Sequence, residues 1–147
     1  MSDKFRQLSD LVFASPQITP ADVHAARDLG VSVIVNNRPE GESDDQTPGA
    51  EIARAAEEAG LDYVAIPVGH SGFSETQVAA MREALDRAKG SRVLAYCRSG
   101  TRSTLLWALV EASAGADPAS LKADAARAGY DLAPIAPLLD VLASGRR

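Results

Sequence analysis

The chain has 147 residues, 46% of them hydrophobic and 24% charged, which is ordinary globular usage at single-domain length, with enough apolar surface for a core without staples. Lys plus Arg number 15 against 20 Asp plus Glu, a net charge of −5; that balance argues against nucleic acid, whose phosphates need a basic face, and against an anionic membrane surface. The single cysteine, Cys97, cannot form an internal disulfide or a multi-cysteine zinc site, and two histidines, His24 and His70, do not make a histidine-rich metal centre.

The start, Met1 to Arg6, lacks an apolar signal core, and the run Leu11 to Ala14 is too short to export or span. A reducing cytoplasm is therefore the expected setting, where a lone thiol stays available for chemistry. Thr19-Pro20-Ala21-Asp22 predicts a helix start, with Thr19 as N-cap and Pro20 at the first helical position. Ile18 and Val23 stand at the two ends of a hydrophobic staple, and Gly30 is the stop. Val31 to Val35 is a β-branched run suited to a strand covered on both faces. The stretch from Asn36 to Gly49 is polar, acidic and turn-rich, hence a loop.

A helix follows from Ala50 to Ala59, then a strand from Tyr63 to Ile66 closed by Pro67. Ser74 and Gln77 frame a capping box that opens a helix with Val78, Met81, Leu85 and Ala88 on one face. Arg92 to Tyr96 is a third strand. Cys97 to Arg102 is a turn, and Ser103 to Ala114 is a largely apolar helix in which Trp107 is core. Helices from Asp117 to Gly129 and from Ile135 to Ala143 complete the chain, and the tail 144–147 is expected to fray. Strands alternating with helices predict a three-layer α/β fold: a small, mainly parallel sheet of about four strands with helices on both faces.

The segment that carries chemistry is Cys97-Arg98-Ser99-Gly100-Thr101-Arg102-Ser103. It joins a strand to a helix, and in open α/β sheets ligands sit just beyond the carboxyl ends of the strands. Its backbone N–H groups converge at a helix N-terminus, which is a ready anion site. Gly100 allows a positive φ or close backbone approach, and Arg98 and Arg102 add charge that suits a tetrahedral oxyanion. A helix N-terminus and adjacent arginine favour the thiolate of Cys97, the soft nucleophile needed for covalent catalysis on an anion. Ser99, Thr101 and Ser103 offer hydroxyls to support that thiolate. Arg38, just past a strand, is placed to hold substrate or to pair with Glu40 or Glu42.

Beyond the loop, the resemblance is to the phosphatase-like domain of bacterial beta-lactamase-hydrolase-like proteins, a compact relative of tyrosine and dual-specificity phosphatases. It runs through Ser15 to Ile18, Asn36 to Glu42, Ile66 to Val68, Cys97 to Ser103 and Ala128 to Asp131. The loop alone is also similar to that of rhodanese-type sulfurtransferases. The phosphatase resemblance implies a tyrosine-phosphatase-like fold and a metal-free mechanism without cofactor. Cys97 would attack phosphorus to give a thiophosphate, and Arg102 would hold the oxygens. A carboxylic acid would protonate the leaving group; Asp131 stands first because it lies in a resembling segment, followed by His70, Glu75 and Asp44, with Asp45 on the same acidic loop.

Three departures favour sulfur instead. Four residues separate Cys97 from Arg102, where such phosphatases have five. Tyr96 replaces the usual histidine before the cysteine, and the loop from Pro67 to Glu75 has no aspartate. The rival expectation is a persulfide on Cys97 passed to an external thiol acceptor, and a third is a non-catalytic anion-binding module. In each case the partner is a small anionic substrate or a phosphorylated or persulfide donor, and no oligomeric state is indicated.

Overall fold

The computed structural model describes residues 4–145; Arg146 and Arg147, part of the expected frayed tail, lie outside them, as do residues 1–3. The elements follow the order β1 (Arg6–Gln7), β2 (Val12–Ser15), α1 (Pro20–Asp28), β3 (Val31–Asn36), α2 (Gly49–Ala59) and β4 (Asp62–Ala65). Then come α3 (Glu75–Arg87), β5 (Arg92–Tyr96), α4 (Thr101–Ser113), α5 (Pro118–Arg127), a 3-10 turn (Ala133–Ile135) and α6 (Ala136–Ala143).

One five-stranded sheet has the order β1-β2-β5-β3-β4. β2, β5, β3 and β4 run parallel, and the two-residue β1 closes the β2 edge in antiparallel. The sheet thus has five strands rather than about four. The additional pairing comes from the N-terminal segment, whose Val12–Ser15 run is recognised as a strand only once Phe13 lies beside Leu94.

Side-chain alternation divides the core between the two faces, as a covered sheet requires. Val93 and Ala95 of β5 join Val12, Ala14, Val33 and Val35 under α3, α4, α5 and α6. Leu94 and Tyr96 join Phe13 and Ile34 under α1 and α2. A register shift at Val31/Val33 lets both Val31 and Ile34 face α1 and α2. Each fully buried Leu or Ile contributes about 1.5–3 kcal/mol by leaving water. The same alternation carries past Tyr96 and turns Cys97 toward the α4 side, at the carboxyl edge of the parallel strands.

The helix caps follow the local sequence. Thr19 accepts from Asp22 N–H, and the Asp22 carboxylate takes the Thr19 N–H in return. Ser74 and Gln77 make the same reciprocal pair at α3. α4 is the central helix: Leu105 to Val110 are all buried, Trp107 among them. Apolar all round, it is fixed by packing on every side rather than by one stripe. It begins at Thr101, two residues before the expected start, so Arg102 lies within its first turn. No described helix is long and apolar enough to cross a membrane.

Candidate active site

The ends of β2, β3 and β5 hold the cysteine from both sides. Cys97 N–H donates to Ser15 O at 3.2 Å, and Asn37 N–H donates to Tyr96 O at 2.8 Å. The thiol is buried, and Gly100 N–H reaches its Sγ at 3.1 Å. Gly100 is the N-cap of α4, with φ +95°. The amides of Arg98, Ser99, Arg102 and Ser103 have no protein acceptor among the described residues. Unpaired donors around a sulfur at the positive end of a 13-residue helix form a cradle for an anion.

Gly100 is required twice. Its φ lies in the left-handed region, and a Cβ there would stand 2.1 Å from Tyr130 Oη and 3.3 Å from the Ser15 carbonyl carbon. Tyr130 covers the loop and donates its hydroxyl to Ser99 O at 3.1 Å. Gly100→Ala is expected to lose roughly 2–6 kcal/mol, from backbone strain plus displacement of the tyrosine. Denaturant unfolding checks this; a loss under ~1 kcal/mol would show that the tyrosine swings aside freely.

The guanidinium of Arg102 is held on two of its edges. Nη1 and Nη2 grip the two Glu42 oxygens at 2.6 and 2.9 Å, and Nη1 also donates to Val68 O at 2.7 Å. These bonds use three of its five N–H donors. The two left, Nε–H and the second Nη2–H, lie side by side on the remaining edge, a fork that matches two oxygens of a tetrahedral anion. Cys97 lies close enough to stabilise the guanidinium charge, after Glu42, the largest influence.

Glu42 also takes Arg38 Nε–H at 2.9 Å. Hydrogen bonding from Arg102 comes first and from Arg38 next in holding its carboxyl down to about 2, against an ordinary value of 4.5. The folded value is the depressed one, so the pair's stabilisation is complete above pH 4.5 and is lost as pH falls toward 2. Glu42→Gln should therefore lower stability at pH 7 and flatten the loss between pH 4.5 and 2. Urea midpoints across that range test this, and parallel curves for parent and variant would refute the assignment.

The structure places the expected site residues as follows. Arg38 is 4% exposed, and its donors go to Glu42, Gln17 and Ser43; of the two readings the sequence left open, the pairing with Glu42 is formed, and Arg38 braces the loop. Ser103 is buried and gives its hydroxyl to Asn37 Oδ1 at 2.7 Å, not to the thiol. Ser99 and Thr101 bond each other, Oγ to Oγ1 at 3.0 Å. Among the described residues the backbone amide of Gly100 reaches Sγ, and the Arg102 guanidinium lies close enough to feel it. Arg98 is exposed at the rim, and Gln17 N–H bonds its carbonyl.

Of the candidate acids, Asp131 follows Tyr130 and is exposed, with Oδ1 accepting from Ala133 N–H at 2.9 Å. His70 is exposed two residues beyond Val68, on the loop that Arg102 grips. Asp44, Asp45 and Glu75 are exposed; a hydrogen bond from Ser43 keeps Asp45 below the usual carboxylate range. His24 lies on the outer side of α1. Tyr96 points to the opposite face of the sheet from the thiol. Burial above all, then Tyr63 and Glu40, push its phenol far above the usual range, so it stays protonated. Among the described residues no cluster of three His, Cys, Asp or Glu could hold a metal ion.

Sequence reasoning missed the reach of Glu42 to Arg102 and the part of Asn37. The only local signal was the i,i+4 spacing of Arg38 and Glu42. The model of the beta-lactamase hydrolase-like protein, phosphatase-like domain, matches residues 4–116. The chain belongs to this family.

A beta-lactamase hydrolase-like protein of Xylella fastidiosa Temecula1 is 39% identical over 82 residues, 56% of this chain and 19% of that protein. The phosphatase-like domain therefore spans about a fifth of the curated relative's length. A solved structure of a candidate phosphatase from Neisseria meningitidis Z2491 is 30% identical with TM-score 0.81, over 96% of this chain and 99% of that one. Tk-PTP in its active form shares the fold at TM-score 0.75 and 14% identity, over 98% and 99% of the two chains. The phosphatase-like domain thus has a tyrosine-phosphatase-like fold, and the Cys97 loop lies at the carboxyl edge of its sheet.

Proposed function

We propose that this phosphatase-like domain hydrolyses a phosphate monoester through Cys97. The observation that carries the reading is the free edge of Arg102 beside the Cys97 sulfur, with four unpaired loop amides around it. The thiolate attacks phosphorus and the P–O bond to the leaving group breaks, giving a thiophosphate on Cys97. The leaving oxygen takes a proton from a carboxylic acid, with Asp131 as first candidate, or from water. Water then attacks phosphorus, the S–P bond breaks, and inorganic phosphate leaves with the thiolate restored. The amides and Arg102 hold the equatorial oxygens throughout, where charge develops. The donors supply what the step needs from the chain's own residues.

The test is one preparation assayed in parallel for aryl phosphate hydrolysis and for thiosulfate-to-cyanide transfer, with intact mass read after each. Phosphate release with a phosphoryl adduct on Cys97 supports the proposal. A persulfide adduct with cyanide-dependent transfer and no phosphate release would replace it with the sulfur-transfer reading that the four-residue spacing favours. Anion binding without either turnover would leave a binding module.

A further inference from the structure

Asn37 lies one residue past β3 and is fully buried. Its backbone N–H donates to Tyr96 O at 2.8 Å, and its carbonyl accepts from Val68 N–H at 2.9 Å. Its side chain spans two further elements: Nδ2 donates to Ile66 O at 3.0 Å, and Oδ1 accepts the Ser103 hydroxyl at 2.7 Å. The Ile66 carbonyl can only accept, so the nitrogen must face it and the oxygen must face Ser103. No other uncharged side chain of this length supplies both a donor and an acceptor from one planar group.

These four bonds converge on the two functional side chains without touching either. Tyr96 immediately precedes Cys97. Ser103 immediately follows Arg102 in the first turn of α4. The segment Ile66 to Val68 ends in the carbonyl that receives Arg102 Nη1. Asn37 therefore fixes the strand end that carries the thiol, the helix turn that carries the guanidinium, and the acceptor that orients it. It also claims the Ser103 hydroxyl, which is why that group does not reach the thiol. We propose that Asn37 is the positioning residue of the cradle, setting the distance between the Cys97 sulfur and the free edge of Arg102 through Ser103 and Val68. This rests on the cradle described above and extends it to a residue outside the Cys97–Ser103 loop.

The experiment compares the full chain with Asn37→Ala, Ser103→Ala and the double variant. Two readouts are used: affinity for inorganic phosphate by calorimetry, and the ratio of Cys97 alkylation rates by iodoacetate and iodoacetamide. The anionic reagent senses the orientation of Arg102, and the neutral one senses exposure of the thiol. Each single variant should weaken phosphate at least ~10-fold and lower the alkylation ratio toward that of Arg102→Ala, because small misplacements of an oriented group are costly. The double variant should be no worse than Asn37→Ala, since that variant already removes the Ser103–Asn37 bond that Ser103→Ala breaks. A purely structural role would lower the melting temperature while leaving both readouts of the folded variants within about twofold of the parent, and that result overturns the proposal. Should Asn37→Ala fail to fold, Ser103→Ala breaks the same bond with a smaller change and decides alone. A parent that binds no phosphate sinks the proposed function, while the alkylation ratio still judges Asn37.

Discussion

Cys97→Ser is expected to abolish turnover, by ~10³-fold or more, while leaving phosphate binding and the fold in place. The substitution replaces a buried sulfur by a smaller oxygen in the same loop. Gly100 N–H, 3.1 Å from Sγ, can donate to the hydroxyl oxygen instead, so no amide is orphaned and the stability cost stays near 1 kcal/mol. The unpaired amides and the free edge of Arg102 do not depend on sulfur, so the anion still binds. The hydroxyl, however, stays protonated at neutral pH, and no histidine stands beside it to take the proton: His24 and His70 are both exposed, one on α1 and one on the loop beyond Val68. Calorimetry with phosphate, alongside aryl phosphate turnover, separates the two effects. A serine variant that retains a tenth of parental turnover, or one that loses the anion together with the rate, would rule out nucleophilic attack by Cys97 as described.

Arg102→Lys should be nearly as damaging as Arg102→Ala, each lowering turnover by ~10²–10³-fold. Charge alone would predict a mild effect, because lysine keeps it. The geometry predicts otherwise. Arg102 serves two Glu42 oxygens, the Val68 carbonyl and, on its last edge, the substrate. An ammonium has three donors on one atom and cannot hold a carboxylate on one side while presenting two parallel N–H groups on another. It would settle on Glu42, whose carboxyl is ionised at every working pH, and turn away from the anion. A lysine variant within about tenfold of the parent would mean that Arg102 acts as a point charge, and the argument from its edges would fall.

Local chemistry made much of this chain legible. Thr19 with Pro20 and Ser74 with Gln77 announce their helices because a cap is set by residues within one turn, and the structure forms capping boxes at Thr19–Asp22 and Ser74–Gln77. The strand–loop–helix around Cys97 is likewise local, and so is the glycine that turns it. What stayed hidden lies in pairings across long stretches of chain. Val12–Ser15 reads as a short apolar run until β5 arrives beside it. Ser103 reads as a support for the thiol until Asn37, far upstream, takes its hydroxyl. Glu42 reads as a partner of Arg38 alone, since nothing in its neighbours' identities marks the second arginine 60 residues away.

The strand order carries a kinetic consequence. β5 is central, and its partner β2 pairs with it from about 80 residues upstream, Phe13 against Leu94. No local hairpin can nucleate that ladder, and the closure entropy of so long a loop must be met before any contact across it is gained. Folding should therefore be slow for a chain of this size, in the millisecond-to-second range typical of non-local topologies. During synthesis β2 and β3 leave the ribosome with nothing between them. The thiol loop takes shape only when β5 slots into that gap, and Tyr130 seals it later still. Until then the nascent chain carries two apolar strands with open edges, a state prone to association. Late insertion of the central strand also means that a truncated product ending before residue 130 holds the nucleophile without the tyrosine that covers its loop.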